Sequence, residues 1–136
     1  MPKYMLDTNA IIHLRQHRSS KMTSRVVTMP VGEAVMSVIT YGELRTGAEK
    51  SDHREARLTT LEAMTSIVSV VELLPEVGTT YGQIRSHLER RGELIGPNDL
   101  WIAAHARASG LTLVTSNERE FRRVPDLQVE NWAAAA

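Results

Sequence analysis

The sequence predicts an α/β domain built around a mainly parallel sheet. Short apolar runs alternate with segments of helical periodicity, and no linker, repeat or low-complexity region interrupts the 136 residues. Such alternation forms βαβ units, whose sheet is covered by helices on both faces. The length suits one hydrophobic core. We therefore expect one domain over residues 1–132, and an alanine tail at 133–136 that is an unstructured extension or a cloning artefact.

The individual elements follow from the apolar periodicity and from stop signals. Strands are predicted at residues 4–6, 34–38, 68–71 and 111–115, with a last short strand within 124–132. Helices are predicted at residues 8–16, 20–28, 40–50, 53–66, 76–91 and 98–109. Thr8 or Asn9 is the expected N-cap of the first helix. Pro30 ends the second, and Gly92 and Gly110 end the last two.

Composition excludes several classes of protein. The 16 basic and 16 acidic residues give a formal net charge of zero, which argues against a nucleic-acid-coating protein but leaves a local basic patch open. The absence of cysteine excludes disulfides, thiolate metal sites and a cysteine nucleophile. No signal peptide is visible, and no apolar run approaches the roughly 18 residues of a membrane span. We expect a cytoplasmic protein without membrane association.

Four acidic residues occupy places where a parallel sheet binds ligands. Asp7 directly follows the first strand, and Glu43 lies near the start of the helix after the second strand. Asp99 lies at another helix start, and Glu120 follows the strand at 111–115. Because the carboxyl ends of parallel strands meet at one edge of the sheet, we expect these four carboxylates to converge.

Each acid also has a purely structural explanation. Asp7 suits an N-cap, although capping does not explain a carboxylate between two apolar runs. Glu43 fits a capping box in which it bonds back to the Thr40 amide. Asp99 in a first helical turn interacts favourably with the helix dipole. Glu120 stands among arginines and fits a solvated ion pair.

Taken together, the four acids indicate a metal-dependent hydrolase. Converging carboxylates repel one another, and protonation or a cation must relieve the repulsion. Oxygen ligands without cysteine or a histidine cluster favour Mg²⁺ or Mn²⁺ over zinc. These ions activate water and stabilise charge on phosphoryl oxygens, which indicates phosphodiester hydrolysis. Competing motifs are absent: there is no Walker loop, GxGxxG or GxSxG, and His13 and His17 lack the glutamate of HExxH.

Four segments, taken together, resemble a known family. They are YMLDTNAII, MSVITYGELRTGAEKS, GPNDLWIAAHA and LVTSNEREFRRVPDLQVENW, in this order over nearly the whole chain. The set resembles PIN-domain ribonucleases, and among them the VapC toxins of bacterial VapBC toxin–antitoxin modules. The resemblance implies a PIN-like three-layer α/β/α sandwich with a mainly parallel sheet. It also implies a Mg²⁺- or Mn²⁺-dependent endoribonuclease, a hydrolase.

The resemblance assigns roles to the acids. Asp7 and Asp99 would ligate the metal directly, and Glu43 would bind through water or place a second ion while positioning the attacking water. The fourth position falls on Asn117 or Glu120, and we prefer Glu120 as the acid with Asn117 supporting the pocket. The groups that orient the carboxylates would be Thr8, Asn9, Thr115 and Asn117.

The resemblance also implies an RNA substrate. VapC-like enzymes generally cut structured RNA, commonly tRNA or rRNA, at one loop, and thereby inhibit translation and growth. An exposed loop is the form of RNA that proteins read most readily. Basic residues near the first helices and near the last acid would hold RNA phosphates around the acidic pocket. For each of them the alternative is an ordinary charged residue on a solvated surface. They are Arg15, Arg18, Lys21, Arg25, Arg119, Arg122 and Arg123.

The expected partner is a VapB antitoxin. In the family, this protein wraps a helix and an extended tail around the toxin, and an Arg or Lys of the tail enters the acidic pocket. The apolar groove for it would involve Ile11, Ile12, Leu14 and Val26, with core packing as the alternative for at least half of them. A homodimer, a larger complex with the antitoxin, and contact with operator DNA only through the antitoxin are also implied.

Two other functions compete with a toxin ribonuclease. A non-catalytic PIN-like RNA-binding or scaffold module would use the acids only as caps, but the three core acid positions are intact. A flap-type DNA nuclease of related fold would need a helical arch or additional DNA-binding elements, and the chain is too small to contain them.

Overall fold

The computed structural model describes residues 1–133 and shows a three-layer α/β/α sandwich, as predicted. The predicted tail falls outside the described residues except for Ala133, which packs partly buried against the core. No helix within residues 1–133 has the length and apolar character that a membrane span requires.

The described residues contain five strands and seven helices. The strands are β1 (Tyr4–Leu6), β2 (Ala34–Ser37), β3 (Ser69–Val71), β4 (Thr112–Val114) and β5 (Val129–Glu130). The helices are α1 (Thr8–Arg15), α2 (Ser20–Thr28), α3 (Val38–Glu49), α4 (Arg54–Ile67), α5 (Pro75–Arg90), α6 (Pro97–Ala108) and α7 (Glu118–Phe121).

The sheet has the order β3-β2-β1-β4-β5, and all its pairs are parallel. Tyr4 of β1 pairs with Ala34 of β2 on one side and with Thr112 of β4 on the other. The chain therefore builds outward from β1 to β3 and then crosses to the opposite side of β1. Such a reversal opens a crevice beyond the carboxyl ends of β1 and β4, where α/β sheets bind ligands.

The two faces of the sheet bury separate halves of the core. Met5 and Leu113 point toward the layer that contains α5 and α6. Their neighbours Leu6 and Val114 point to the other face, toward α1, α2 and α4. Both faces are covered, which is why these strands are apolar at successive positions rather than at alternate ones.

Two local predictions were wrong, and one short helix was missed. The N-cap of α1 is Asp7 rather than Thr8 or Asn9, because Asp7 accepts a hydrogen bond from the Ala10 amide. Helix α3 begins two residues earlier than predicted and is capped by Ser37, whose hydroxyl accepts from the Ile39 amide. Helix α7 was not predicted, since four residues are too few to show a helical period.

Candidate active site

Asp7 is buried at the carboxyl end of β1, where 2% of its surface is exposed. One carboxylate oxygen accepts from the Ala10 amide at 2.8 Å, and the other accepts from the Thr115 hydroxyl at 2.5 Å. Burial nevertheless dominates and raises the pKa of Asp7, against the lowering effect of these hydrogen bonds. The fold thus holds a carboxylate whose charge is only partly compensated by its protein neighbours.

Thr115 connects Asp7 to the loop that follows β4. Its hydroxyl donates to Asp7 and accepts from the Asn117 amide at 2.9 Å, while its own amide donates to the Glu130 carbonyl of β5. Thr115 is 1% exposed. The position of Asp7 and the course of this loop therefore depend on the same side chain.

Glu43 lies on α3 and is half-buried. It accepts a hydrogen bond from the Thr8 hydroxyl at 2.6 Å, and the Thr8 hydroxyl also lies 3.4 Å from that of the buried Thr40. The capping-box alternative was wrong, because Thr40 stands inside the first turn of α3 and Ser37 supplies the cap. Glu43 instead points toward α1 and the Asp7 end of the sheet.

Asp99 is half-buried in the first turn of α6. Burial, the charges of Glu120 and Asp7, a hydrogen bond with Glu120 and the charge of Glu43, in decreasing order, raise the pKa of Asp99 to about 7. The charges of all three other acids therefore act on Asp99. Without a cation, part of the negative charge is relieved by protonation near neutral pH.

Glu120 lies on α7 and faces the pocket rather than the arginines around it. Its carboxylate accepts from the Asn117 side-chain amide at 2.5 Å and from the Gly96 backbone amide at 3.3 Å. The ion-pair alternative was wrong, because Arg122 pairs with Glu118 at 2.8 Å instead. The Gly96 contact was missed by the sequence analysis, since nothing local relates residues that lie 24 positions apart.

The pocket residues divide into two groups. Thr8, Thr115 and Asn117 each donate a hydrogen bond to one acid, respectively Glu43, Asp7 and Glu120. Asn9, by contrast, is exposed, and no hydrogen bond joins it to an acid within residues 1–133.

The donor set fits a hard divalent cation. Its charged groups are carboxylates, which Mg²⁺ and Mn²⁺ prefer, and the raised pKa of Asp99 reports excess negative charge that a cation would neutralise. Within residues 1–133, no three acidic or histidine side chains are placed as a ready cage for an ion. Glu43 and Glu120 are instead engaged by Thr8 and Asn117, so they suit contact through water better than direct ligation.

The predicted phosphate-binding residues differ in whether they already contact another side chain or a backbone carbonyl. Arg25 lies over the Trp132 ring, 4.1 Å from its centroid, and pairs with Glu130. Arg122 pairs with Glu118, and an Arg123 nitrogen lies 3.5 Å from backbone carbonyls. The remaining predicted phosphate-binding residues make no ion pair within residues 1–133; they are Arg15, Arg18, Lys21 and Arg119.

The predicted apolar groove lies between α1, α2 and α4. Ile11, Leu14 and Val26 are buried, so three of its four predicted members belong to the core, and Ile12 is half-buried. A hollow of about 200 Å³ nevertheless opens above Leu14 and Val26. Its rim includes two exposed apolar side chains, Val27 and Ile67.

Comparison with known proteins identifies the class. Residues 4–127 match the family model of the PIN domain. The chain therefore belongs to the PIN-domain family, and within that family to the VapC ribonucleases. It is a nuclease, that is, a hydrolase of phosphodiester bonds, and PIN-domain nucleases generally use divalent metal ions.

The relatives match over almost their entire length. Ribonuclease VapC2 of Haemophilus influenzae is 42% identical, covering 97% of this chain and 99% of the relative. The tRNA(fMet)-specific endonuclease VapC of Shigella flexneri is 40% identical, covering 98% and 100%. Among solved structures, DNA-bound VapBC from Salmonella typhimurium superposes with a TM-score of 0.92 at 38% identity, covering 97% of this chain and 99% of that chain.

Proposed function

We propose that this protein is the toxin of a VapBC toxin–antitoxin module, an endoribonuclease that uses Mg²⁺ or Mn²⁺ to cut one loop of a structured RNA. The observation that carries the proposal is that three other carboxylates, those of Glu120, Asp7 and Glu43, act on Asp99 and help to raise its pKa to about 7. Acids that served only as solvated surface groups or as helix caps would not need to face one another, because their mutual repulsion costs free energy.

Asp7 and Asp99 are the residues that would hold the ion directly, with Glu43 and Glu120 contacting it through water. When bound, a divalent ion lowers the pKa of a water molecule and offsets the charge that develops on the phosphate. The Thr8 hydroxyl holds the Glu43 carboxylate, which is then placed to orient the attacking water and accept its proton. The buried Asp7 and Thr115 keep the floor of the site fixed while RNA binds.

The substrate we infer is a loop of tRNA or rRNA, and its cleavage would stop translation and growth. Two curated relatives are named tRNA(fMet)-specific endonucleases. Arg15, Arg18 and Lys21 near the first helices, and Arg119 on α7, make no ion pair in the described part of the chain and would contact phosphates around the acidic pocket. Arg122 would do so only after it leaves Glu118. Because its substrate is translational RNA, we place the enzyme in the cytoplasm.

The partner we infer is a VapB antitoxin. Three of the solved structures similar to this chain, from Rickettsia felis, Haemophilus influenzae and Salmonella typhimurium, are VapBC complexes, and the first and last of these contain DNA. An apolar helix of the antitoxin would cover the hollow bounded by Val27 and Ile67, and an Arg or Lys would enter the acidic pocket as a substitute cation. We also propose a homodimer that joins a larger complex with the antitoxin, which alone contacts operator DNA.

The test is induced expression followed by sequencing of RNA 5′ ends, compared with Asp7→Asn. The amide oxygen keeps the acceptor for the Ala10 amide, and the substitution removes the charge. We expect growth arrest and one dominant new 5′ end with the wild type, and neither with Asp7→Asn. Growth arrest by the folded variant would refute the catalytic function and favour a non-catalytic RNA-binding module.

A further inference from the structure

A buried histidine of α6 links two of the helices that carry the acids. His105 is 2% exposed, and its Nδ1 lies 2.8 Å from the hydroxyl oxygen of Ser37, the N-cap of α3. Ser37 is fully buried. The backbone carbonyl of Glu72, just after β3, lies close enough to the same ring to raise its pKa against the effect of burial. One imidazole thus contacts three elements that are distant in the sequence.

The proton positions follow from the partners. The Ile39 amide donates to the Ser37 hydroxyl oxygen at 3.1 Å, so the hydroxyl proton is free to point toward His105. Nδ1 then accepts this proton, and Nε2 carries the ring proton toward the Glu72 carbonyl. Burial lowers the pKa of His105, so the ring is neutral at pH 7.

Along the pair of helices α3 and α6, the link lies away from Glu43 and Asp99. Ser37 precedes Glu43 by six residues, and Asp99 precedes His105 by six, which corresponds to about 9 Å along each helix. Helices α3 and α6 contact each other. The charge of Glu43 acts on Asp99 at one end of this contact, while Ser37 and His105 are hydrogen-bonded at the other.

We propose that His105 is a positioning residue, which holds α3 against α6 through Ser37 and thereby sets the separation of the Glu43 and Asp99 carboxylates. Like charges at the site end push the two helices apart. The neutral hydrogen bond at the far end resists this displacement and preserves the helix register. The inference deepens the proposed function and rests on it, because it assigns a purpose to the separation of two proposed metal-binding acids.

The alternative is a histidine that contributes only to the stability of the core. Two amide variants separate the possibilities, because each keeps one half of the ring's hydrogen bonding. In His105→Asn, the amide reaches the position of Nδ1 and retains the bond to Ser37. In His105→Gln, the amide reaches the position of Nε2 and retains the contact with Glu72. His87→Gln on α5 serves as a control outside the site.

The experiment compares these proteins on bulk tRNA with MgCl₂ or MnCl₂, at a temperature where thermal melts show each of them folded. We expect His105→Gln to lose about 10- to 100-fold in kcat with little change in KM, the range for groups that orient ligands. His105→Asn and His87→Gln should stay near the wild type. Equal losses in the Asn and Gln variants, or losses that follow the unfolded fraction, would overturn the proposal.

A variant of Ser37 removes the same hydrogen bond without changing His105, so the test does not depend on the folding of the His105 variants alone. Ser37→Gly removes the hydroxyl while retaining most of the N-cap preference. It should reduce kcat as much as His105→Gln, and the double variant should lose no more than either single one, because both remove the same link. Additive losses would contradict the proposal.

Failure of the proposed function has a different signature. If the wild type cuts no RNA with either ion, the assigned activity is wrong whatever the variants do. The positioning role is then decided by crystal structures of both His105 variants. A shift of Glu43 relative to Asp99 in the Gln variant alone supports it, and unchanged or equal shifts overturn it.

Discussion

Asp7 has two functions that chemistry can separate. Its carboxylate caps α1 and, in our proposal, ligates the metal, yet burial raises its pKa and makes the charged form costly to the fold. A cap needs only an oxygen acceptor, whereas a cation needs the charge.

We therefore predict different stabilities for two inactive variants. Asp7→Asn keeps the acceptor for the Ala10 amide and should be at least as stable as the metal-free wild type. Asp7→Ala loses the cap, and its free energy of unfolding should be lower than that of Asp7→Asn by about 0.5–2 kcal/mol. Urea titrations measure the difference. Equal stabilities would show that capping by Asp7 does not stabilise the fold.

Two variants decide whether Glu120 or Asn117 occupies the fourth position of the acidic site. Glu120→Gln keeps a partner for Gly96 but loses the charge, and Asn117→Ala removes the amide that holds Glu120. If Glu120 is the fourth acid, Glu120→Gln should reduce kcat more than Asn117→Ala, and both less than Asp99→Ala. Cleavage kinetics at saturating MgCl₂ test the order. A larger loss in Asn117→Ala would assign the position to Asn117.

At the scale of elements, β5 and Trp132 at the end of the described chain stabilise the segment that carries Thr115. The β5 carbonyl of Glu130 accepts from the Thr115 amide. Trp132 follows directly; its ring centroid lies 4.9 Å from that of Tyr4 and 4.1 Å from the Arg25 guanidinium, and its indole N–H donates to Glu130. This cluster secures a two-residue strand that has little pairing of its own.

Removal of the Trp132 ring should therefore affect both the fold and the site. We predict that Trp132→Ala lowers the free energy of unfolding by about 3–5 kcal/mol. Trp132→Phe keeps an aromatic ring and loses one hydrogen bond, at about 1 kcal/mol. Hydrogen exchange should show faster exchange of the Thr115 amide in Trp132→Ala. Protection equal to that of the wild type would mean that β5 holds its place without Trp132.

The helices show which local signals were sufficient. Helix α2 agrees with its prediction at both ends, because Ser19 and Pro30 mark its limits. The start of α3 was misplaced, since Ser37 and Thr40 are both acceptable caps, and only the folded backbone shows that Ser37 is extended and accepts from the Ile39 amide. Periodicity identifies a helix, whereas a boundary depends on which capping residue the surrounding fold leaves available.

At the scale of the whole molecule, the acids make stability depend on pH. In the metal-free native state, Asp99 keeps its proton up to a pKa of about 7, while in the unfolded state it releases the proton near the ordinary aspartate pKa of 3.8. The native state binds more protons between these limits, so stability falls as the pH rises from about 4 through 7. The raised pKa of Asp7 acts in the same direction.

A divalent ion should reverse this loss. Thermal melts should show little effect of MgCl₂ at about pH 5.5 and a clear gain at about pH 8, roughly 2.7 kcal/mol when the ion is at 100 times its Kd. Asp99→Asn should flatten the pH dependence and reduce the gain, while NaCl of equal ionic strength gives the control. A gain that is the same at both pH values would contradict a carboxylate ion site.

The sequence by itself determined the α/β class, most elements, the four acids and the family resemblance, because periodicity, stop signals and short motifs are local properties. The tertiary structure decided which side chains meet: Thr115 and Asp7 are 108 positions apart, Thr8 and Glu43 are 35 apart, and His105 and Ser37 are 68 apart. The reason is physical. The bonds of Thr115 and His105 arise only when the crossing from β3 to β4 brings distant segments together, and the bond of Thr8 arises when α3 packs beside α1. No local pattern encodes the partner in any of them.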